Sequence, residues 1–141
     1  MMEPVHVAHL VLLAMWAGLV VGETVLEFHA HDEAALRVSA RVHYWIDVLA
    51  ELPLLAGILA TGVMLTYRAW PLSTLHVLKI TAGLVAISAN LVCVVVVFRR
   101  HRGVADVPGL LRLRRRVAAT AVVGVPFAVF ALIVGLAYFR R

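Results

Sequence analysis

Apolar residues fall in four long stretches, over residues 4–28, 43–67, 74–98 and 117–139, separated by short polar segments. A hydrocarbon core of about 30 Å takes about 20 helical residues, so each stretch is long enough to span it. The stretches are too long for strands and lack their two-residue alternation. The pattern predicts an all-α integral membrane four-helix bundle, one domain over residues 1–141, with connections at 29–42, 68–73 and 99–116. The first stretch has no basic leader and carries Glu23 and Glu27 where a small-residue cleavage site would stand, so it reads as a retained span. Pro53 and Pro126 fall mid-span and predict bends. Gly18 and Gly22 form a GxxxG on the first helix, a candidate contact for a homo-oligomer.

Composition sharpens this picture. Hydrophobic residues make up 63% of the chain and charged residues 15%, against roughly 45–50% and about 25% in a soluble domain. That balance excludes a soluble globular enzyme and a disordered chain. The net charge of +5 does not signal nucleic acid, because the arginines sit between apolar stretches, where membrane topology accounts for them. Nine arginines (Arg37, Arg41, Arg99, Arg100, Arg102, Arg112, Arg114, Arg115 and Arg116) lie in the first and third connections, and three (Arg68, Arg140 and Arg141) on the other side. The asymmetry predicts a multi-pass protein of the plasma (inner) membrane, in contact with lipid, with both termini extracytoplasmic. The lone cysteine, Cys93, excludes a disulfide framework within the chain.

Five ionisable residues interrupt the apolar stretches: Glu23, Glu27, Asp47, Glu51 and Lys79. Each costs roughly 2.5–3.5 kcal/mol at mid-bilayer even on the lenient insertion scale, so they must face the bundle interior and find partners. At 100° per residue, His9, Trp16, Glu23 and Glu27 share a stripe of about 40° on the first helix. His43, Asp47, Glu51, Leu54, Ile58 and Thr61 share one on the second, and His76, Lys79, Gly83, Ile87 and Asn90 one on the third. The fourth helix has only Thr120 and reads as apolar closure. Antiparallel packing then sorts the polar residues into two levels.

The inner level holds Glu23, Glu27, His43, Asp47 and Glu51, joined by Asn90 and Cys93 and flanked by His29 and His31. His43-x-x-x-Asp47-x-x-x-Glu51 stacks an imidazole and two carboxylates on successive turns of one face, and Glu23-x-x-x-Glu27 does the same opposite, continued by His31. Four carboxylates so close cannot all ionise without counter-charge. Three sources are open: a divalent transition metal (zinc, manganese, iron or copper) held by Glu23, Glu27, His31, His43, Asp47 and Glu51; salt bridges to Arg37, Arg41 or the third connection; or protons moving through a relay. The Glu-x-x-His spacing of di-metal carboxylate bundles is absent.

The outer level holds His9, His76 and Lys79, with Thr61 or Thr66. Two histidines on facing helices can clamp a haem b axially, or bind copper with Met15 or Met64. The plainer reading of each is a hydrogen-bonded packing residue. Trp16, Trp45 and Trp70 read as packing or interface anchors.

The stretch His6-Val7-Ala8-His9-Leu10-Val11-Leu12-Leu13-Ala14-Met15-Trp16-Ala17-Gly18, the run Leu75-His76-Val77-Leu78-Lys79-Ile80 through Asn90 to Arg99-Arg100, the ending Glu27-Phe28-His29 and the pair Thr61-Gly62 resemble small four-helix membrane proteins of the CopD and HemJ type. The resemblance covers about half of the chain. It implies a four-helix bundle, possible dimerisation and, on the HemJ side, haem binding and a haem-linked membrane oxidoreductase activity on protoporphyrinogen, with His9 and Lys79 at the functional positions. On the CopD side it implies copper handling. Glu23-Thr24 stands where that family carries a Pro-Arg pair.

Three functions follow as expectations. The first is a membrane metal-binding protein built on the inner cluster, for transport, sensing or storage. The second is a haem-binding redox protein built on His9, His76 and Lys79. The third is a structural or assembly subunit in which the charged stripes only pair helices.

Overall fold

A computed structural model describes residues 3–139 of the chain, and side chains through Gly135. Four helices run antiparallel in sequence: α1 (Pro4–His29), α2 (Glu33–Arg68), α3 (Thr74–Arg102) and α4 (Val107–Phe139). All four are long and apolar enough to cross a membrane, and no strand occurs among the described residues. Large apolar side chains such as Val11, Met15, Leu49, Val92 and Phe130 are exposed on the outer faces, as expected where the solvent is lipid.

Two expected connections are mostly helical. The segment expected to link the first two spans over 29–42 shrinks to residues 30–32, because α2 starts at Glu33. Asp32 caps it: its Oδ1 accepts the Ala35 N–H at 2.7 Å, and its carbonyl accepts from Leu36. The Glu33–Arg37 pair, one turn apart, reinforces that first turn. Likewise α3 continues to Arg102 and α4 begins at Val107, so the expected 99–116 loop is a tight turn over 103–106. Hydropathy reports where lipid ends, not where a helix ends. Residues 33–37 and 110–116 are good helix formers that simply leave the apolar zone.

The second helix is not uniformly α. Asp47–Glu51 forms a π-helical turn, in which the Leu52 N–H donates to the carbonyl of Asp47, five residues back. Pro53, which has no N–H to give, follows directly. The bend expected at Pro53 is thus an inserted residue in the spiral, and it carries both acidic side chains of the second span.

The helices α3 and α4 pack along their length. Ala82 and Ala86 are buried in that seam, and a Cβ built on Gly124 would lie 3.3 Å from that of Ala89. Small residues let the backbones approach where lipid offers no hydrophobic drive. The first helix packs on the Leu52–Arg68 half of α2, where a Cβ on Gly57 would lie 3.1 Å from Leu12 Cδ1. The Glu33–Ile46 half of α2 packs on α3, with Tyr44 stacked on His101 at 4.0 Å. The densest apolar packing lies at the end of the bundle carrying the two short connections, where Leu110, Leu36, Ala30 and Ala40 form one cluster and Val96, Val97 and Val117 another. By contrast, nothing among the described residues lies within 4 Å of a Cβ built on Gly18 or Gly22.

Candidate metal centre

The same end of the bundle buries seven polar side chains: Glu23 and Glu27 from α1, Ser39, His43, Asp47 and Glu51 from α2, and Arg100 from α3. They form two adjoining units.

The first unit is centred on Glu27. Its Oε1 accepts from Ser39 Oγ at 2.9 Å, from His43 Nδ1 at 2.9 Å and from the Arg100 guanidinium. Arg100 is fully buried, and its second arm donates to Ser39 Oγ at 3.4 Å. From α4, Arg114 donates to the carbonyls of Glu27 at 2.6 Å and Ala30 at 3.0 Å, and its Nε stands 3.9 Å from Glu27 Oε2. The end of α1, where backbone carbonyls lose their helical partners, is therefore closed by a side chain of α4.

The second unit lies on the far side of the His43 ring. Nε2 stands 3.6 Å from Glu23 Oε2 and 3.6 Å from Asp47 Oδ1. Those distances are too long for hydrogen bonds. Ligand atoms from Glu23, His43 and Asp47 all lie within 4.8 Å of one another, and all three residues are buried. Asp47 is 0% exposed, and no N–H or hydroxyl reaches either of its oxygens, its hydrogen-bonding neighbour being the carboxyl of Glu51; Glu23 Oε1 likewise lacks a donor. Glu51 adjoins Asp47 and takes a 3.1 Å hydrogen bond from Trp16 Nε1. From α3, Cys93 lies within electrostatic range of the carboxyls of Asp47, Glu51 and Glu23, hydrogen-bonded to Thr120 of α4 and packed against the Val96, Val97 and Val117 cluster. Asn90 Nδ2 is buried and lacks an acceptor. A group of one imidazole and several carboxylates, closed off from solvent and short of donors, can hold a metal ion.

The structure thus brings together Glu23, Glu27, His43, Asp47 and Glu51, and gives them different roles. Glu27 is saturated by donors at Oε1, while its buried Oε2 has no hydrogen bond and only Arg114 Nε 3.9 Å away, and it belongs to the salt-bridged unit. His31 is exposed in the short α1–α2 connection and takes no part: the helix stops at His29, so the fourth-residue spacing from Glu27 does not carry it inward. Arg37 pairs with Glu33 rather than with Asp47 or Glu51, and the counter-charge comes from Arg100 and Arg114. Arg100 falls in the expected 99–116 connection but stands on α3. Its signal was in the spacing: Asn90, Cys93, Val97 and Arg100 continue the inward stripe of α3 in steps of three and four.

At the other end of the bundle, His9 Nδ1 lies 2.7 Å from Thr61 Oγ1, whose own proton is directed to the carbonyl of Gly57. Lys79 interacts electrostatically with His9, and Gly135 leaves room for its side chain: a Cβ there would lie 3.1 Å from Nζ. His76 lies 2.9 Å from the hydroxyl of Ser73, the residue that caps α3. These contacts give His9 and His76 packing roles at their Nδ1 atoms.

Comparison with family models, with curated proteins and with solved structures returns no match. The CopD- and HemJ-type resemblance accordingly rests on the short motifs alone.

Proposed function

We propose that this chain is an integral membrane metal-binding protein in which Glu23, His43 and Asp47 hold a divalent transition metal for transport, sensing or storage. The observation that carries the reading is Asp47, a fully buried carboxyl that no N–H or hydroxyl reaches and whose hydrogen-bonding neighbour is another carboxyl, Glu51, set beside Glu23 and an imidazole. Such a group is expensive in a membrane interior unless a metal ion or a proton neutralises it.

Charge and distance both support this. With all carboxyls ionised, Glu23, Glu27, Asp47 and Glu51 carry four negative charges against the two guanidiniums of Arg100 and Arg114. The remainder is the charge of one divalent cation. Ligands about 2.1 Å from a tetrahedral ion are about 3.4 Å apart, close to the 3.6 Å found from His43 Nε2 to each carboxylate. The imidazole disfavours magnesium and calcium, and the oxygen ligands suit zinc, manganese or iron. Glu51 or a water would take the fourth position. The arginine asymmetry puts this end of the bundle on the cytoplasmic side.

An absorption spectrum and elemental analysis on one detergent-purified sample test the reading. The expected result is about one zinc, manganese, iron or copper per chain, lost in His43→Ala and Asp47→Ala. Folded protein without stoichiometric metal would sink it. A Soret band that disappears in His9→Ala would shift the site to the outer level and to haem, as the HemJ-type resemblance implies.

The structural-subunit reading is favoured by one observation, the Arg100–Glu27–Arg114 network. It accounts for Glu27 and leaves the unpartnered oxygens of Glu23 and Asp47 unexplained.

A further inference from the structure

We infer that Glu27 is the positioning residue of this centre: its carboxylate fixes the His43 ring with the proton on Nδ1, so that the bare Nε2 is presented to Glu23 and Asp47. The inference rests on the metal-binding reading for its purpose, but the tautomer it specifies follows from hydrogen bonding alone.

Glu27 Oε1 accepts from the Arg100 guanidinium, which has only donors to offer, and from Ser39. An oxygen so engaged acts as an acceptor toward His43 as well, so Nδ1, 2.9 Å away, carries the hydrogen. In a neutral imidazole Nε2 then holds a lone pair. Two carboxyls stand 3.6 Å from that nitrogen, and no N–H or hydroxyl reaches either oxygen of Asp47 or Oε1 of Glu23. Acceptors meeting acceptors is an arrangement that a metal ion or an added proton resolves, and spacings of 3.6 Å are those of ligands around an ion rather than of a hydrogen bond. A carboxylate behind a ligating histidine is the usual way in which ring orientation and basicity are set.

The carboxylate is itself held from every other helix: by Ser39 and His43 of α2, by Arg100 of α3, and by Arg114 of α4, which also ties down its backbone carbonyl. Glu27 therefore has little freedom to swing toward the ion and serve as a ligand.

The test uses the full-length protein in detergent micelles with [15N]histidine, and cobalt(II) alone as the metal probe. The His43 signals are assigned among the seven histidines by their loss in His43→Ala. Wild-type protein is expected to show the Nδ1–H tautomer and to bind one cobalt with a visible ligand-field spectrum. Glu27→Gln keeps a carbonyl acceptor and should retain both. Glu27→Ala should release the tautomer and weaken cobalt binding by about 10–100-fold, with an unchanged spectrum at saturation. A doubly protonated His43 ring or an Nε2–H tautomer in the wild type would overturn the inference. So would a Glu27→Ala protein that matches wild type, or one that loses stoichiometry and spectrum as His43→Ala does, which would make Glu27 a ligand. If wild type binds no cobalt but the tautomer is locked and Glu27→Ala frees it, the metal reading falls and the role of Glu27 toward His43 stands.

Discussion

Replacing Arg100 with methionine isolates the salt-bridged unit. Methionine retains an apolar stem of similar reach and removes the guanidinium from a position that is 0% exposed. Breaking a buried ion pair by removing one partner costs about 3–5 kcal/mol, because the other charge is left uncompensated. Here the loss falls at the lower end, because Glu27 Oε1 keeps Ser39 and His43 as donors and Arg114 Nε remains 3.9 Å from Oε2. The expected loss for Arg100→Met is about 3 kcal/mol. Reversible unfolding in mixed micelles, followed by helical circular dichroism as denaturing detergent is titrated in, measures it. The double variant Arg100→Met, Glu27→Gln should recover most of that loss, since the amide carbonyl still accepts from Ser39 and His43 and no buried charge is stranded. A single variant within about 0.5 kcal/mol of wild type, or a double variant as unstable as the sum of its parts, would refute this account of the network.

Three further outcomes follow from the same coordinates. Asp47→Asn should abolish metal binding yet stabilise chelator-treated protein by about 1 kcal/mol, because it removes a buried charge without a donor; a loss of stability in the same unfolding assay would count against an unpartnered Asp47. Leu110→Ala, at a fully buried position against Ala30, Leu36 and Ala40, should cost about 3 kcal/mol, seen as a lower thermal midpoint. Gly57→Ala should be tolerated by a small shift of Leu12, whereas Gly57→Leu should cost about 1–3 kcal/mol by forcing α1 off α2; equal effects of the two would show that this seam is loosely packed.

The hydropathy pattern was enough to place four helices and to converge Glu23, His43 and Asp47, because apolar stretches and inward stripes are both consequences of placing a helix in lipid. It was blind to what happens at the helix ends. The 29–42 and 99–116 segments are polar and read as loops, but Asp32 caps a helix there and α3 continues through Arg100. Arg100 and Arg114 stand in the expected third connection, as a topology signal and as one open source of salt bridges to Asp47 and Glu51, whereas geometry makes them the partners of Glu27. The division of labour between Glu23 and Glu27 was equally hidden. One turn apart on the same stripe, they differ only in what α2, α3 and α4 bring to them. His31 fails for the converse reason, since periodicity was extended past the residue at which α1 stops.

The π-helical turn at Asp47–Glu51 has a consequence for how this protein can change over generations. The wide turn absorbs one residue more than an α spiral requires, so the two halves of α2 keep their phase around it. Deleting one residue there would leave composition and hydropathy almost untouched and would let the turn close to α geometry. Ser39 and His43 would still meet Glu27, and Leu55 and Ile58 would stay in their seam. The acidic side chains carried by the turn itself, Asp47 and Glu51, would be re-aimed. Part of the centre is thus encoded by residue count as well as by residue identity. A relative with a one-position gap in this turn would share the membrane architecture and the Glu27 unit, and would differ in where its second unit points its carboxylates.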